Sequence, residues 1–144
     1  MTVSAKVYGL AMQSMLNKEI DWDTDTIKCV LLTSSHTPDQ DTHRYESSLT
    51  NELSGGSYAR QTLGSKTITY NTSTNVLTLD CADITFAAMT ASAIRYAVIV
   101  DTQSGSASTN PLLCYIDFGA DQAVTAQDFT VIIASTGLAT FTAA

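Results

Sequence analysis

The chain has 144 residues, a net charge of −7 and a sequence pI near 4.4. Its length suits one domain, and a hydrophobic share of 44% with a mean hydropathy of +0.08 describes a packed globule rather than a disordered tail. The acidic excess argues against a phosphate-binding surface, and no apolar run approaches the roughly 20 residues of a membrane span, so neither nucleic acid nor membrane is an expected partner.

Residues 4 to 19 predict the one N-terminal helix. Ser4 can cap it, and Tyr8, Ala11, Met12, Met15 and Leu16 recur at three- and four-residue steps along one side. Gly9 weakens it by about 1 kcal/mol relative to Ala. The expected placement is over the edge or end of a sheet. Next comes Asp21-x-Asp23-x-Asp25, which opens like a calcium loop. The EF-hand pattern then needs Gly and Glu where this chain has Thr26 and Leu32, so the run reads as an acidic turn. Trp22, the single Trp, sits inside it. It is either an exposed anchor for a partner or a cap on the sheet, its indole N–H paired with a neighbouring carboxylate.

From residue 26 the period changes to two. Thr26 to Thr33 (TIKCVLLT) predicts a strand buried on both faces. Residues 34 to 65 form a long irregular region. Such connections often carry function, and a partner site is expected here, with Tyr45 as the second candidate anchor. Its cluster His36-x-x-Asp39-x-Asp41-x-His43 is dense in potential ligands, but no helix or strand period fixes those residues on one side. It reads as a solvated loop with Asx-turns, and no metal is assigned. Gly55-Gly56 supplies a sharp turn.

Lys66 to Asn71 and Val76 to Asp80 predict a β-hairpin with a solvated Thr face. Ile84 to Phe86 adds a short strand. Ile94 to Asp101 and Leu112 to Phe118 form a second pair, joined by an exposed, flexible polar loop, Thr102 to Asn110. Phe129 to Ala134 and Leu138 to Thr142 close the chain around a turn at Ser135-Thr136-Gly137. The expected fold is mainly β: a β-sandwich or jelly-roll-like single domain with one N-terminal helix. Cys29, Cys81 and Cys114, an odd number of well-separated thiols, read as reduced, buried hydrophobes of a chain folded in a reducing cytosol.

No nucleophile elbow, zinc-protease motif, P-loop or dinucleotide fingerprint occurs, and both histidines lie in one loop. No catalytic residue and no cofactor is assigned, and the chain is not read as an enzyme.

A resemblance carries the functional expectation. Val30-Leu31-Leu32-Thr33-Ser34-Ser35, Thr37-Pro38-Asp39-Gln40-Asp41-Thr42-His43, Asn51-Glu52-Leu53-Ser54-Gly55 and Tyr58-Ala59-Arg60-Gln61 are similar to segments of a family of small virion structural proteins of tailed bacteriophages. The likeness returns at Arg95-Tyr96-Ala97-Val98 and at Tyr115-Ile116-Asp117-Phe118-Gly119. Within that class, a small, acidic, Thr-rich β-protein resembles capsid decoration (cement) proteins. The resemblance implies a homotrimer on the outer capsid surface, bound to the major capsid protein and assembled in the bacterial cytoplasm. The alternative is a tail adaptor or a receptor-binding module for host glycans.

Overall fold

The computed structural model describes residues 2–144. It is mainly β, as expected, with two antiparallel sheets and one helix near the N-terminus. In chain order the elements are β1 (Ser4–Val7), α1 (Gly9–Leu16), β2 (Ile27–Leu32), β3 (Gln61–Thr62), β4 (Thr67–Asn71), β5 (Val76–Asp80), β6 (Ile84–Asp101), β7 (Leu112–Val131) and β8 (Ala139–Thr142). The larger sheet has the order β1-β7-β6-β2-β3 and the smaller one β4-β5-β8.

β2 is apolar along most of its length because both faces and both edges are covered. One edge pairs with β6 from Ile27↔Asp101 to Leu32↔Tyr96. The other receives the backbone of the long connection. Leu53 N–H donates to Leu31 O at 3.0 Å, Leu63 N–H donates to Ile27 O at 2.9 Å, and Thr33 N–H donates to Asn51 O at 3.0 Å. Across the sheet, Val7, Cys114, Ile99 and Cys29 lie in one register row. On that face the Cys29 and Cys114 thiols feel Cys81, which follows β5, so this is the side packed on the smaller sheet. The opposite face carries Tyr96 and Tyr115. Their rings meet His36 at 6.0 Å and Tyr8 at 5.1 Å, so the connection after β2 and the residue before α1 both cover it. All three cysteines are buried and unpaired.

The predicted Thr-faced hairpin is β4–β5. Thr69 pairs with Thr78, which pairs with Thr140 of β8, while Tyr70, Leu77 and Phe141 align on the other side. β8 does not return beside residues 129 to 134. After the turn at Gly137 (φ 98°) it crosses to the smaller sheet and pairs with β5.

Two local readings are corrected. The helix is not 4 to 19 but Gly9–Leu16; Ser4 to Val7 form β1, paired with β7 from Ser4↔Asp117 to Val7↔Cys114. The edge of β7 supplies hydrogen-bond partners that a lone helix turn there would lack. Ser4 therefore caps nothing; Tyr8 precedes the helix and is itself buried. The short strand at Ile84 to Phe86 and the strand from Ile94 are one 18-residue strand, β6, paired with the 20-residue β7. Register shifts at Phe86/Met89, Met89/Ala91, Ala91/Ile94 and Ile94/Tyr96 break the period of two there.

Candidate partner-binding site

Two side-chain networks give the region from 34 to 65 a fixed shape. Arg60 reaches Glu46 through Nη1 at 2.7 Å and Glu52 through Nη2 at 2.7 Å and Nε at 2.8 Å. Tyr58 donates its hydroxyl to Glu52 at 2.8 Å and accepts the Leu31 N–H at 3.1 Å, while Asn110 donates to Glu46 at 2.7 Å. Burial pushes the Glu52 carboxyl up, but the hydrogen bonds from Arg60 and Tyr58 outweigh it and hold the group below its ordinary value. In the second network Arg44 makes a two-point contact with Glu19 at 3.0 Å and donates to Ser14 at 3.3 Å. Tyr45 donates to Glu19 at 3.3 Å, with the Arg44 guanidinium 5.0 Å from its ring. This second network ties the C-terminal end of α1 to the long connection.

Two clefts flank that junction and share Lys18, whose positive φ of 62° turns the chain away from α1. The first, about 400 Å³, is polar; Glu19, Asp25, Tyr45, Gln103 and Ser104 line it. The second, about 380 Å³, is largely apolar. It runs between Met15, Ile20 and Trp22 on one side and Ile68, Leu77 and Leu79 on the other. Nearby, Leu16 is 86% exposed, Tyr70 51% and Ile68 48%.

The candidate anchors thus fall on neighbouring clefts in different roles. Tyr45 is half-buried and lines the polar cleft. Trp22 is only 4% exposed, which removes it as a protruding anchor. Its indole N–H donates to the Thr67 carbonyl at 3.0 Å, not to a carboxylate, and the Lys66 ammonium lies 5.9 Å from its ring. Trp22 is a wall of the apolar cleft and a strut between sheet and turn. The exposed apolar residues on this face were missed by sequence reasoning.

Of the other sequence candidates, Asp25 lines the polar cleft and Asp21 the apolar one, while His36, Asp39, Asp41 and His43 stand apart from both. Asp39 accepts the N–H groups of Asp41 and Thr42 at 3.0 Å, the predicted Asx-turn, and Asp21 does the same for Asp23 and Thr24 at 3.2 Å. His36 is not solvated. It is 2% exposed and accepts the Thr50 N–H at 3.3 Å through Nδ1, with its ring 5.7 Å from that of His43. Burial, then the His43 charge, holds it below its ordinary value, so it stays neutral. The loop from Thr102 to Asn110 is tied down as well: Asn110 is buried and accepts the Ser104 hydroxyl at 2.6 Å. Among the described residues, no group of three or more His, Cys, Asp and Glu side chains is placed to hold a metal ion. Comparison of the chain with protein-family models, curated proteins and solved structures returned no match.

Proposed function

We propose that this protein is a capsid decoration protein of a tailed bacteriophage. It binds the outer head surface, contacts the major capsid protein and reinforces the shell as a homotrimer. The structural observation that supports this reading is the apolar cleft beside α1, with exposed Leu16, Ile68 and Tyr70 around it. On an acidic chain with only 15% charged residues, exposed apolar groups beside a cleft mark a contact surface for another protein. The resemblance in sequence to virion structural proteins is what favours the major capsid protein as that partner. Packaged DNA presses outward on a thin shell, and a protein bridging neighbouring subunits adds binding free energy that separation forfeits. A trimer engaging three equivalent positions makes weak single contacts effective by raising their effective concentration.

The test is to add purified protein to phage heads lacking it. Saturable binding at a fixed ratio to the major capsid protein, with greater resistance of the heads to heat, is expected. Labelling of tails, or of host cells through their glycans, would replace this reading by the tail adaptor or receptor-binding alternative.

A further inference from the structure

His36 lies in the connection after β2 with 2% of its surface exposed. A backbone N–H can only donate, so the Thr50 N–H at 3.3 Å makes Nδ1 of His36 an acceptor and leaves the imidazole proton on Nε2. Nε2 is buried and, among the described residues, has no hydrogen-bond partner. This bond joins two points of the connection that lie 14 residues apart. It sits against the end of β2, where His36 N–H donates to Thr33 O at 3.1 Å and Thr33 N–H donates to Asn51 O at 3.0 Å. His43, with its ring 5.7 Å from that of His36, is held in the same manner: the Asp39 N–H donates to its Nδ1 at 3.3 Å.

We propose that His36 is an acid sensor built into the fold: its unprotonated Nδ1 fastens the connection after β2 to itself through Thr50, and a proton taken there breaks that bond and weakens the fold. The incoming proton has one place to go. Nε2 already carries a proton, so the second one lands on Nδ1 and sets an N–H against the Thr50 N–H. The Thr50 hydroxyl, 3.1 Å from Nδ1, is the acceptor beside it, and a single neutral oxygen does not offset a buried charge.

The charged and titratable neighbours are engaged elsewhere. Tyr96 of β6 meets the His36 ring edge-on at 6.0 Å and has the Arg95 guanidinium 5.6 Å from its own ring; Arg95 pairs with Asp117 of β7 at 2.6 Å. Tyr8, before α1, lies 6.4 Å from His43 and 5.1 Å from Tyr115 of β7. Asp39 accepts the Asp41 and Thr42 N–H groups, Asp41 is exposed, and Asp121 accepts the Ser34 hydroxyl at 3.1 Å. None of these carboxylates is hydrogen-bonded to His36.

Burial first, then the His43 charge, lowers His36 below its ordinary value. A group lowered in the folded state contributes stability above its unfolded value, about 6.5, and loses it as pH falls through the folded one. Asp101 is raised to about 7 and works in the opposite direction, so the comparison that isolates the sensor is wild type against His36→Asn, in which Asp101 cancels. The sensor does not depend on the decoration reading.

His36→Asn supplies an amide oxygen that accepts the Thr50 N–H at any pH. In urea denaturation from about pH 7 down to about pH 5, the folded-to-unfolded ratio of wild type should fall relative to this variant by up to about tenfold per pH unit. Nitrogen-15 NMR of the wild type carries the test if His36→Asn fails to fold. Its two histidine signals are assigned with His43→Asn, which leaves His36 as the single histidine. At neutral pH the His36 proton should be on Nε2, its titration should lie below about 6.5, and the Thr50 amide signal should follow that titration. Matching pH profiles in wild type and variant, a proton on Nδ1 at neutral pH, or a His36 titration at or above about 6.5 would overturn the sensor.

Discussion

Ala88 and Ala126 hold backbone angles that a residue with a Cβ rarely adopts, φ 47° and 48°, at the register shifts of the β6–β7 ribbon. Neighbouring side chains help hold the shifts in place. Asp128 accepts the Ala88 N–H and Thr90 Oγ1 accepts the Ala126 N–H, each at 2.9 Å. A left-handed residue with a Cβ costs roughly 1–2 kcal/mol, of which the greater unfolded freedom of Gly returns about half. Ala88→Gly, at an exposed position, should therefore raise stability by about 0.5–1 kcal/mol in urea denaturation. Gly56 is the opposite case. At φ 56°, an added Cβ would overlap the Thr90 carbonyl oxygen, while its own carbonyl accepts the Thr90 N–H at 2.8 Å. Gly56→Ala should cost about 2–4 kcal/mol in the same measurement, because both backbones are fixed by that bond. The cysteines give a chemical check. Burial, then the nearby Asp80 and Asp83 charges, pushes the Cys81 thiol up to about 11, and burial pushes Cys29 and Cys114 higher still. Ellman's reagent at neutral pH should find no reactive thiol in the folded protein and three after unfolding without reductant.

The Arg60 network decides whether the region from 34 to 65 behaves as an element. Arg60→Ala would leave Glu46 and Glu52 facing each other with no cation between them. The expected loss is about 2–3 kcal/mol, less than for a fully buried pair because Arg60 retains some exposure. Glu52 is held below its ordinary value, so its contribution is present above the unfolded value of about 4.3 and fades as pH falls through the folded one. Urea curves of wild type and variant should therefore converge on acidification. Legibility in the sequence followed the same boundary between local and long-range causes. β2, the β4–β5 hairpin and the turn at Gly137 were readable because alternation, apolar runs and turn residues act within a few positions. β1 was not. Ser4 to Val7 are strand only because the edge of β7, more than a hundred residues away in the chain, lies beside them. The continuity of β6 was hidden by its register shifts, and the burial of His36 by the absence of any local sign that Tyr96 would cover it. At the candidate site Tyr45 was legible as a large aromatic in an irregular stretch. The ring of Trp22 was legible as important, but not as a wall instead of an anchor.

At the scale of the whole molecule, the decoration reading assigns different work to residues that lie side by side. Leu16 and Tyr70 are exposed and support nothing in the core, whereas Trp22 is buried and bonded to Thr67. Leu16→Asp and Tyr70→Ser should accordingly change stability by no more than about 0.5 kcal/mol each, the range of ordinary surface substitutions. Trp22→Ala should cost about 3–5 kcal/mol, the range for a buried Trp, since it also leaves the Thr67 carbonyl without its donor. On phage heads the order reverses. If the apolar cleft meets the capsid, the Leu16→Asp/Tyr70→Ser double variant loses two apolar contacts and places a charge in a desolvated interface. Each such change costs about 1–2 kcal/mol, so the affinity for heads should fall at least about 10-fold at unchanged melting temperature. The mass in solution, measured by light scattering, separates the remaining cases. If the double variant binds poorly but keeps the wild-type oligomeric state, the cleft faces the capsid. If it falls apart into 15.4 kDa monomers, the cleft instead joins copies of this chain, and the capsid contact passes to the polar cleft at Tyr45. Wild-type binding with wild-type mass would remove the apolar cleft from the interface altogether.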